Sequence, residues 1–134
     1  MPLPIPTPIG VGPRYHPPAL HRTCAHPPSQ RVHLELFANR RVVLVPPGIG
    51  CWTNDPTGVV RFREPATLGA FFRAWGQQLS RHRLLSFRGV VRAWRNGVEL
   101  AGDPARVRLR DGDELVVEVG GFVPPHRSYL FPRH

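Results

Sequence analysis

The chain has 134 residues, 41% of them hydrophobic, and a formal net charge of +9 at pH 7. This length is enough for one domain with a modest core, and no stretch approaches the roughly 20 apolar residues of a membrane span. The opening MPLPIPTPIG has no basic segment followed by an apolar one, so we expect no signal peptide and, by default, a cytoplasmic location.

Residues 1–30 are predicted to form an extended, proline-rich arm. Nine of the 17 prolines lie in the first 28 residues, and alternating proline excludes a helix and favours polyproline II or an extended strand. The residues between these prolines are apolar, unlike those of a solvated linker. Arms of this kind are often disordered, but the apolar residues lead us to expect an arm that is ordered or held by a partner subunit.

Residues 31–46 are predicted to form a β-hairpin. The segments RVHLELF and RVVLVP flank a tight turn at Ala38-Asn39-Arg40, and apolar residues alternate along the first segment. Residues 59–63, with the sequence VVRFR, are a further short strand after the turn at residues 55–58.

Residues 67–80, TLGAFFRAWGQQLS, are predicted to form one amphipathic helix with Thr67 as its N-cap. Gly69 and Gly76 each weaken it by about 1 kcal/mol relative to alanine. Five apolar residues recur at helical spacing and define one face: Leu68, Phe71, Phe72, Trp75 and Leu79.

Residues 90–121 are predicted to contain a second hairpin, a connector and a last strand. Asn96-Gly97 is a strong two-residue hairpin turn. Val107 and Leu109 alternate with arginines, which indicates a strand between the hairpin and the turn at residues 111–113. The last strand, residues 114–119, is apolar on both faces at its centre, as is typical of a central strand.

The order of these elements is that of a β-grasp, or ubiquitin-like, domain. We therefore predict an α+β fold with a mixed sheet and one main helix. The predicted organisation is an extended arm at residues 1–30, the β-grasp domain at residues 31–121, and a proline- and aromatic-rich tail at residues 122–134. Small domains of this type serve more often as carriers, adaptors or subunits than as enzymes.

The C-terminal half resembles the sulfur-carrier branch of the β-grasp fold. The resemblance lies in Thr67-Leu68, in Arg95-Asn96-Gly97, in the L-x-D-G-D turn at residues 109–113, and in Gly120-Gly121. Carrier chemistry requires a free C-terminal Gly-Gly carboxylate, and thirteen residues follow Gly121. The resemblance thus implies the scaffold without the carrier chemistry.

Roughly residues 22–132 resemble a family of uncharacterised small bacterial proteins that are often exported or membrane-tethered. That family shows H-x-H-x-H-L, V-P-x-G-I-G, L-H-T-H-D, G-x-I-H-x-E and T-L-G-x-F-F-x-x-W-G-Q motifs and a V-P-P tail. This chain retains the following matching positions: Cys24, Leu34, Val45 to Cys51, Thr53, Asp55, Gly58, Thr67 to Leu79, Gly102-Asp103-Pro104 and Val123-Pro124-Pro125.

The histidines of that family resemble a transition-metal site, and this chain has lost most of them. Only His33 remains, and the other positions hold Ser29, Arg31, Trp52, Asn54 and Arg61. The resemblance therefore implies a retained scaffold with a lost metal site. Cys24 and Cys51 match family cysteines, which implies a disulfide if the protein is exported; in a reducing cytosol they would be free thiols or a weak metal pair.

A cluster of potential ligands in the arm supports a second hypothesis, a copper or zinc site. Its alternative is that these are merely polar residues of the arm, with no cofactor. The cluster consists of His16, His21, Cys24 and His26, which His33 and Cys51 could complete.

No nucleophile–base pattern stands out, so we expect no enzyme. Asp111, Asp113 and Glu114 are interpreted as turn and rim residues. All 18 basic residues are arginine, which favours an acidic partner. The predicted partner- and anion-binding residues are Arg81, Arg83, Arg88, Arg92, Trp94, Arg106, Arg108 and Arg110; a solvated sheet face is the alternative.

These observations predict a non-catalytic accessory or structural subunit that binds a larger protein assembly through its arms and arginine-rich face. A metal-binding protein is the first alternative. A basic protein associated with nucleic acid is the second, because cations beside an exposed Trp94 suit phosphate contact and base stacking.

Overall fold

Nine β-strands, one α-helix and one turn of 3-10 helix make up the described part of the chain, residues 24–132 of this computed structural model. The architecture is α+β, as predicted. In chain order the elements are β1 (Gln30–Ala38), β2 (Arg41–Val43), β3 (Val59–Phe62), α1 (Leu68–Trp75), β4 (Leu79–Ser80), β5 (Arg83–Leu84), β6 (Phe87–Arg88), β7 (Val91–Arg95), β8 (Val98–Leu100), the 3-10 turn Pro104–Arg106, and β9 (Glu114–Val119).

Six strands form one mixed sheet in the order β2-β1-β9-β7-β8, and β3 pairs with the first half of β1 on the edge that β2 also uses. The central pair, β1 and β9, is parallel, and the other pairs are antiparallel. Strands β4, β5 and β6 form a separate small sheet. No helix within residues 24–132 has the length and apolar character needed to cross a bilayer.

Both predicted hairpins are present. Asn39 and Arg40, between β1 and β2, have φ values of 52° and 68°, and Asn96 and Gly97, between β7 and β8, have φ values of 52° and 85°. Two successive left-handed residues match the twist of the flanking strands. The strand β2 ends at Val43, three residues earlier than predicted.

The helix α1 is shorter than predicted. Thr67 Oγ1 accepts a hydrogen bond from Ala70 N at 3.1 Å, as expected of an N-cap. Gly76 has a φ of 78° and donates to the carbonyl of Arg73, which terminates the helix. The prediction was wrong for residues 76–80, since Leu79 begins β4.

The hydrophobic core lies between α1 and one face of the sheet. The helix contributes Leu68, Phe71 and Phe72, all almost completely buried. The facing residues of the sheet alternate along each strand, as a half-apolar strand requires. On the central pair they are Val32, Leu34, Leu36, Leu115, Val117 and Val119.

The described part of the C-terminal tail, residues 122–132, lies across the opposite face of the sheet. Phe122 contacts Trp94 with ring centroids 5.8 Å apart, and Tyr129 stacks on His33 at 3.6 Å. The backbone N–H of Val123 donates to Glu118 Oε1 at 3.1 Å. This part of the tail therefore packs on its own domain.

The strand predicted around Val107 and Leu109 is absent from the described structure. The 3-10 turn replaces its start, with Asp103 Oδ1 accepting from Ala105 N at 2.9 Å. The segment is then held by two backbone hydrogen bonds to the entry of α1, Leu68 N to the carbonyl of Val107 and Leu109 N to the carbonyl of Ala66, each 2.9 Å. Its alternation of exposed and buried residues is nevertheless as predicted.

A disulfide joins Cys24 to Cys51, with the Cα atoms 5.3 Å apart. It connects the segment before β1 to the loop that follows β2. The guanidinium of Arg63 also donates to the carbonyl of His26. The predicted arm ligands His16 and His21 lie outside the described residues.

Candidate functional site

Four exposed arginines converge on one groove. Arg81 follows β4, Arg106 ends the 3-10 turn, and Arg108 and Arg110 lie in the segment that follows it. Together with Arg95 and Asp103 they line a groove of ≈ 540 Å³, which we call the arginine groove. The 3-10 turn and the two hydrogen bonds to the entry of α1 fix the position of three of these arginines.

The guanidinium groups of Arg81, Arg106, Arg108 and Arg110 have no hydrogen-bond or ion-pair partner among residues 24–132. Arg95 differs, because it pairs with Asp113 and donates to the carbonyl of Arg108 at 2.9 Å. Among the described residues, the carboxylate of Asp103 is the only acidic group lining the groove. The arginine groove therefore carries a net positive charge that the described residues leave unbalanced.

The other predicted anion-binding residues lie elsewhere. Arg83 and Arg88 are directly opposite each other on β5 and β6. Arg92 lines a separate hollow of ≈ 330 Å³, with its Nε 3.9 Å from Glu99. Trp94 is only 5% exposed and lies against Phe122, so the expectation of an exposed aromatic beside these cations was wrong.

A second group of polar side chains lies on the sheet face that the tail covers. His33 and Glu35 are two residues apart on β1 and share a face, and Glu114 is opposite His33 in the parallel pairing with β9. His33 Nδ1 lies 2.6 Å from Glu114 Oε1, and one ligand atom from each of the three residues lies within 4.8 Å of the others. The interpretation of Glu114 as a rim residue was wrong, since its exposure is 0%.

The loop before β3 fixes the His33 ring from its other side. His33 Nε2 lies 2.9 Å from the carbonyl oxygen of Thr57, which can only accept, so we assign the hydrogen to Nε2. Gly58 allows this approach: its φ is +87°, and a Cβ there would lie 2.7 Å from the carbonyl oxygen of Leu34.

The tail packs over this group of side chains. His126 Nδ1 lies 2.6 Å from Glu35 Oε1, and the ring of Tyr129 stacks on that of His33 with an interplanar angle of 3°. Phe131 meets Tyr129 edge-on at 4.9 Å. We call His33, Glu35, Glu114 and His126 the His–Glu cluster.

The electrostatics of the His–Glu cluster are dominated by burial. Burial raises the pKa of Glu114 to about 7, and the neighbouring Glu35 adds to the rise while His33 opposes it. For Glu35, burial acts in the same direction but hydrogen bonds with Glu114 and His126 outweigh it, so its pKa is lowered. The hydrogen bond to Glu35 raises the pKa of His126. Glu114 Oε2 is buried and meets no donor among the described residues.

Among residues 24–132, the metal ligands predicted in the arm and beside it are not brought together. Cys24 and Cys51 are bonded to each other, so neither sulfur is available as a thiolate. His26 is exposed, and no hydrogen bond, ion pair or ring contact joins it to His33. Of the four predicted ligands that the structure describes, only His33 lies in the His–Glu cluster.

Five residues of this site were not predicted as site residues from the sequence: Glu35, Thr57, Glu114, His126 and Tyr129. One local signal pointed to the first of these, because His33 and Glu35 alternate with buried leucines on a strand. A second signal was a glutamate opening the otherwise apolar segment ELVVEV. Contacts across more than 80 residues, such as those of His33 with Glu114 and of Glu35 with His126, have no counterpart in local spacing.

Comparison of the chain with protein-family models, with curated proteins and with solved structures found no match.

Proposed function

We propose that this chain is a non-catalytic binding subunit that docks on an acidic segment of a larger protein assembly through the arginine groove. The observation that carries the proposal is the convergence of four arginines without partners among the described residues. Planar guanidinium groups pair with carboxylates through two parallel hydrogen bonds. A groove lined by several of them would neutralise the charges of an acidic peptide and fix the orientation in which it binds.

The lining of the groove favours binding over catalysis. Apart from the arginines it consists of Leu100, Ala101, Gly102, Asp103 and Val107. The one carboxylate caps the 3-10 turn, and the lining provided by residues 24–132 includes no serine, cysteine or histidine to act as a nucleophile or base. We therefore propose no enzymatic activity for this groove.

The same lining favours a protein partner over single-stranded nucleic acid. Non-specific binding of single strands combines cations with aromatic side chains on which bases stack. No aromatic residue in the described part of the chain lines the arginine groove, and Trp94 is covered by Phe122. An acidic peptide requires no stacking surface.

We also propose that the domain belongs to the β-grasp fold and is related to the bacterial family whose motifs it resembles. The strand order β2-β1-β9-β7-β8 around a parallel central pair, with α1 across one face, supports the fold. The motif positions Asp55 and Gly58 support the relationship, because they form the loop that contacts β1. This relationship fits a binding role, since most of the family's histidines are absent here.

The test measures binding of a fluorescently labelled decamer of glutamate to the full chain. We expect affinity that falls steeply with salt, as charge pairing requires. The triple variant R106E/R108E/R110E should bind at least about tenfold more weakly, because three cations become anions. An unlabelled oligonucleotide of the same length serves as competitor.

The control is the double variant R83E/R88E, which places two Arg→Glu substitutions, instead of three, on the small sheet outside the groove. It should bind the peptide within about threefold of the unmodified chain, since it alters only the long-range field. Equal loss in both variants would show that net charge alone is responsible and would overturn the proposal. Stronger binding of the oligonucleotide than of the peptide would also overturn it, in favour of nucleic acid.

A further inference from the structure

We propose that His33, Glu35, Glu114 and His126 form a binding site for a divalent transition-metal ion, with Zn²⁺ as the ion that these ligands suit best. This site differs from the ligand set predicted in the arm, with which it shares only His33. It also lies on another surface from the arginine groove, so it does not depend on the proposed binding function.

The orientation of His33 supplies the first argument. Its Nε2–H donates to the carbonyl of Thr57, which leaves a lone pair on Nδ1, 2.6 Å from a carboxylate oxygen. A lone pair and an anion at this distance require a proton or a metal ion between them. A ring nitrogen that donates to a backbone carbonyl while the other faces the ion is the usual arrangement of a metal-ligating histidine.

The burial of Glu114 supplies the second, independent argument. Its side chain is completely buried, and Oε2 meets no donor among the described residues. Leaving a buried carboxylate oxygen without a partner is costly. Glu35 adds a second carboxylate beside it. One divalent ion would balance both negative charges and occupy the unpartnered oxygen.

The tail supplies the fourth ligand and holds the first. His126 Nδ1 lies 2.6 Å from Glu35 Oε1, at the edge of the three ligand atoms that lie within 4.8 Å of one another, so a shift of the tail would bring it to the ion. Tyr129 stacks on His33 and fixes the plane of that ring. Ligand atoms around a tetrahedral ion with bonds of about 2.0 Å are about 3.3 Å apart, so the His33–Glu114 pair would open by about 0.7 Å on binding.

The donor atoms decide the class of metal. Two imidazole nitrogens and two carboxylates suit Zn²⁺ and its first-row neighbours. Ca²⁺ and Mg²⁺ prefer oxygen ligands only and take six or more of them. We therefore expect these two ions to compete poorly at the His–Glu cluster.

The experiment is titration of Zn²⁺ into the metal-free full chain, followed by calorimetry, with thermal unfolding in parallel. We expect one equivalent to bind with a rise in melting temperature, because the ion binds only the folded cluster. Glu35→Gln and His126→Gln should each weaken binding at least about tenfold. Both residues are partly exposed, and Glu114→Gln, a nearly isosteric change, adds a test at the buried ligand.

The control is the variant H16A/H21A/H26A, which removes the histidines of the arm. We expect it to bind one equivalent of Zn²⁺ with unchanged affinity. Circular dichroism of every variant without metal confirms that the fold is intact.

Three results would overturn the proposal. One is the absence of Zn²⁺ binding to the folded chain, which would mean that shared protons alone hold the cluster together. Another is binding that survives both Glu35→Gln and His126→Gln. The third is binding that disappears in H16A/H21A/H26A, which would assign the metal to the arm. None of these results bears on the arginine groove.

Discussion

The two faces of the central sheet are built by the same strands and differ in almost every physical respect. One face is apolar and packs against α1 through Phe71 and Phe72. The other carries charged and aromatic side chains and is covered by the irregular tail, residues 122–132. The first face stabilises the fold through close packing, so substitutions of its residues are poorly tolerated. The second holds polar groups in fixed positions, and we place the proposed metal site there.

Strand β9 shows how one segment serves both faces. Leu115, Val117 and Val119 point to the helix, whereas Glu114 and Glu118 point to the tail. All six residues of the strand are buried. Burying two glutamates on one strand therefore destabilises the fold, and the apolar packing on the helix face offsets this effect. Substitutions on the two faces should accordingly differ in the size and the sign of their effect on the free energy of unfolding.

The largest effect is expected on the helix face. Phe72→Ala removes a completely buried ring and should lower the free energy of unfolding by about 3–5 kcal/mol, as measured by urea denaturation. Arg73→Ala, at the exposed neighbouring position of α1, should change it by less than about 0.5 kcal/mol. A decrease in the free energy of unfolding of less than about 1 kcal/mol for Phe72→Ala would contradict the expectation that the helix face contributes more to stability than the tail face.

An intermediate effect is expected where the tail meets the sheet. Tyr129→Ala removes the stack on His33 and should cost about 1–2 kcal/mol, because the ring is half-buried and makes two ring contacts. Leu130→Ala, 93% exposed, is the matched control and should be nearly neutral. Hydrogen exchange of residues 122–132 should accelerate in Tyr129→Ala while that of β9 stays slow; acceleration in both would mean that the tail and the core open together.

The smallest effect is expected at Glu118, and its sign depends on pH. Burial raises the pKa of this carboxyl, so the folded state binds the proton more tightly than the unfolded state. Its contribution to stability is therefore present at low pH and is lost as pH rises through the raised pKa. Glu118→Gln should match the unmodified chain near pH 4 and be more stable at pH 8, by about 1 kcal/mol.

Chemical denaturation at the two pH values measures this difference. Glu64→Gln, at an exposed position, is the control and should show no pH-dependent gain. A gain at pH 4 that disappears at pH 8 would reverse the expected sign and mean that the Glu118 carboxylate is stabilised, rather than strained, beneath the tail.

The elements of the fold were predictable wherever turn chemistry or capping marks them. Thr67 and the Asn96-Gly97 turn were identified because one residue or pair of residues decides the local backbone. The helix end was missed because Leu79 keeps the helical spacing while packing against the same core from β4. The strand at Val107 was wrongly predicted, because alternation reports which side chains are buried and not which backbone partners they find.

The candidate sites were less predictable than the fold. The alternation of Arg106, Arg108 and Arg110 correctly predicted one row of exposed side chains. Arg95, which also lines the groove, belongs to β7 and could not be assigned to it from this pattern. Trp94 looked exposed because nothing in β7 indicates that Phe122 lies over it. The His–Glu cluster joins β1, β9 and the tail, and only the tertiary pairing brings these three segments together.

The parallel pairing of β1 and β9 has a consequence for how the protein folds. It places His33 beside Glu114, 81 residues away along the chain, so the centre of the sheet cannot form until nearly the whole domain is available. Such non-local pairing slows folding, because a long loop must close before its contacts stabilise the chain. During synthesis, the His–Glu cluster would therefore be completed only after β9 and the tail have left the ribosome.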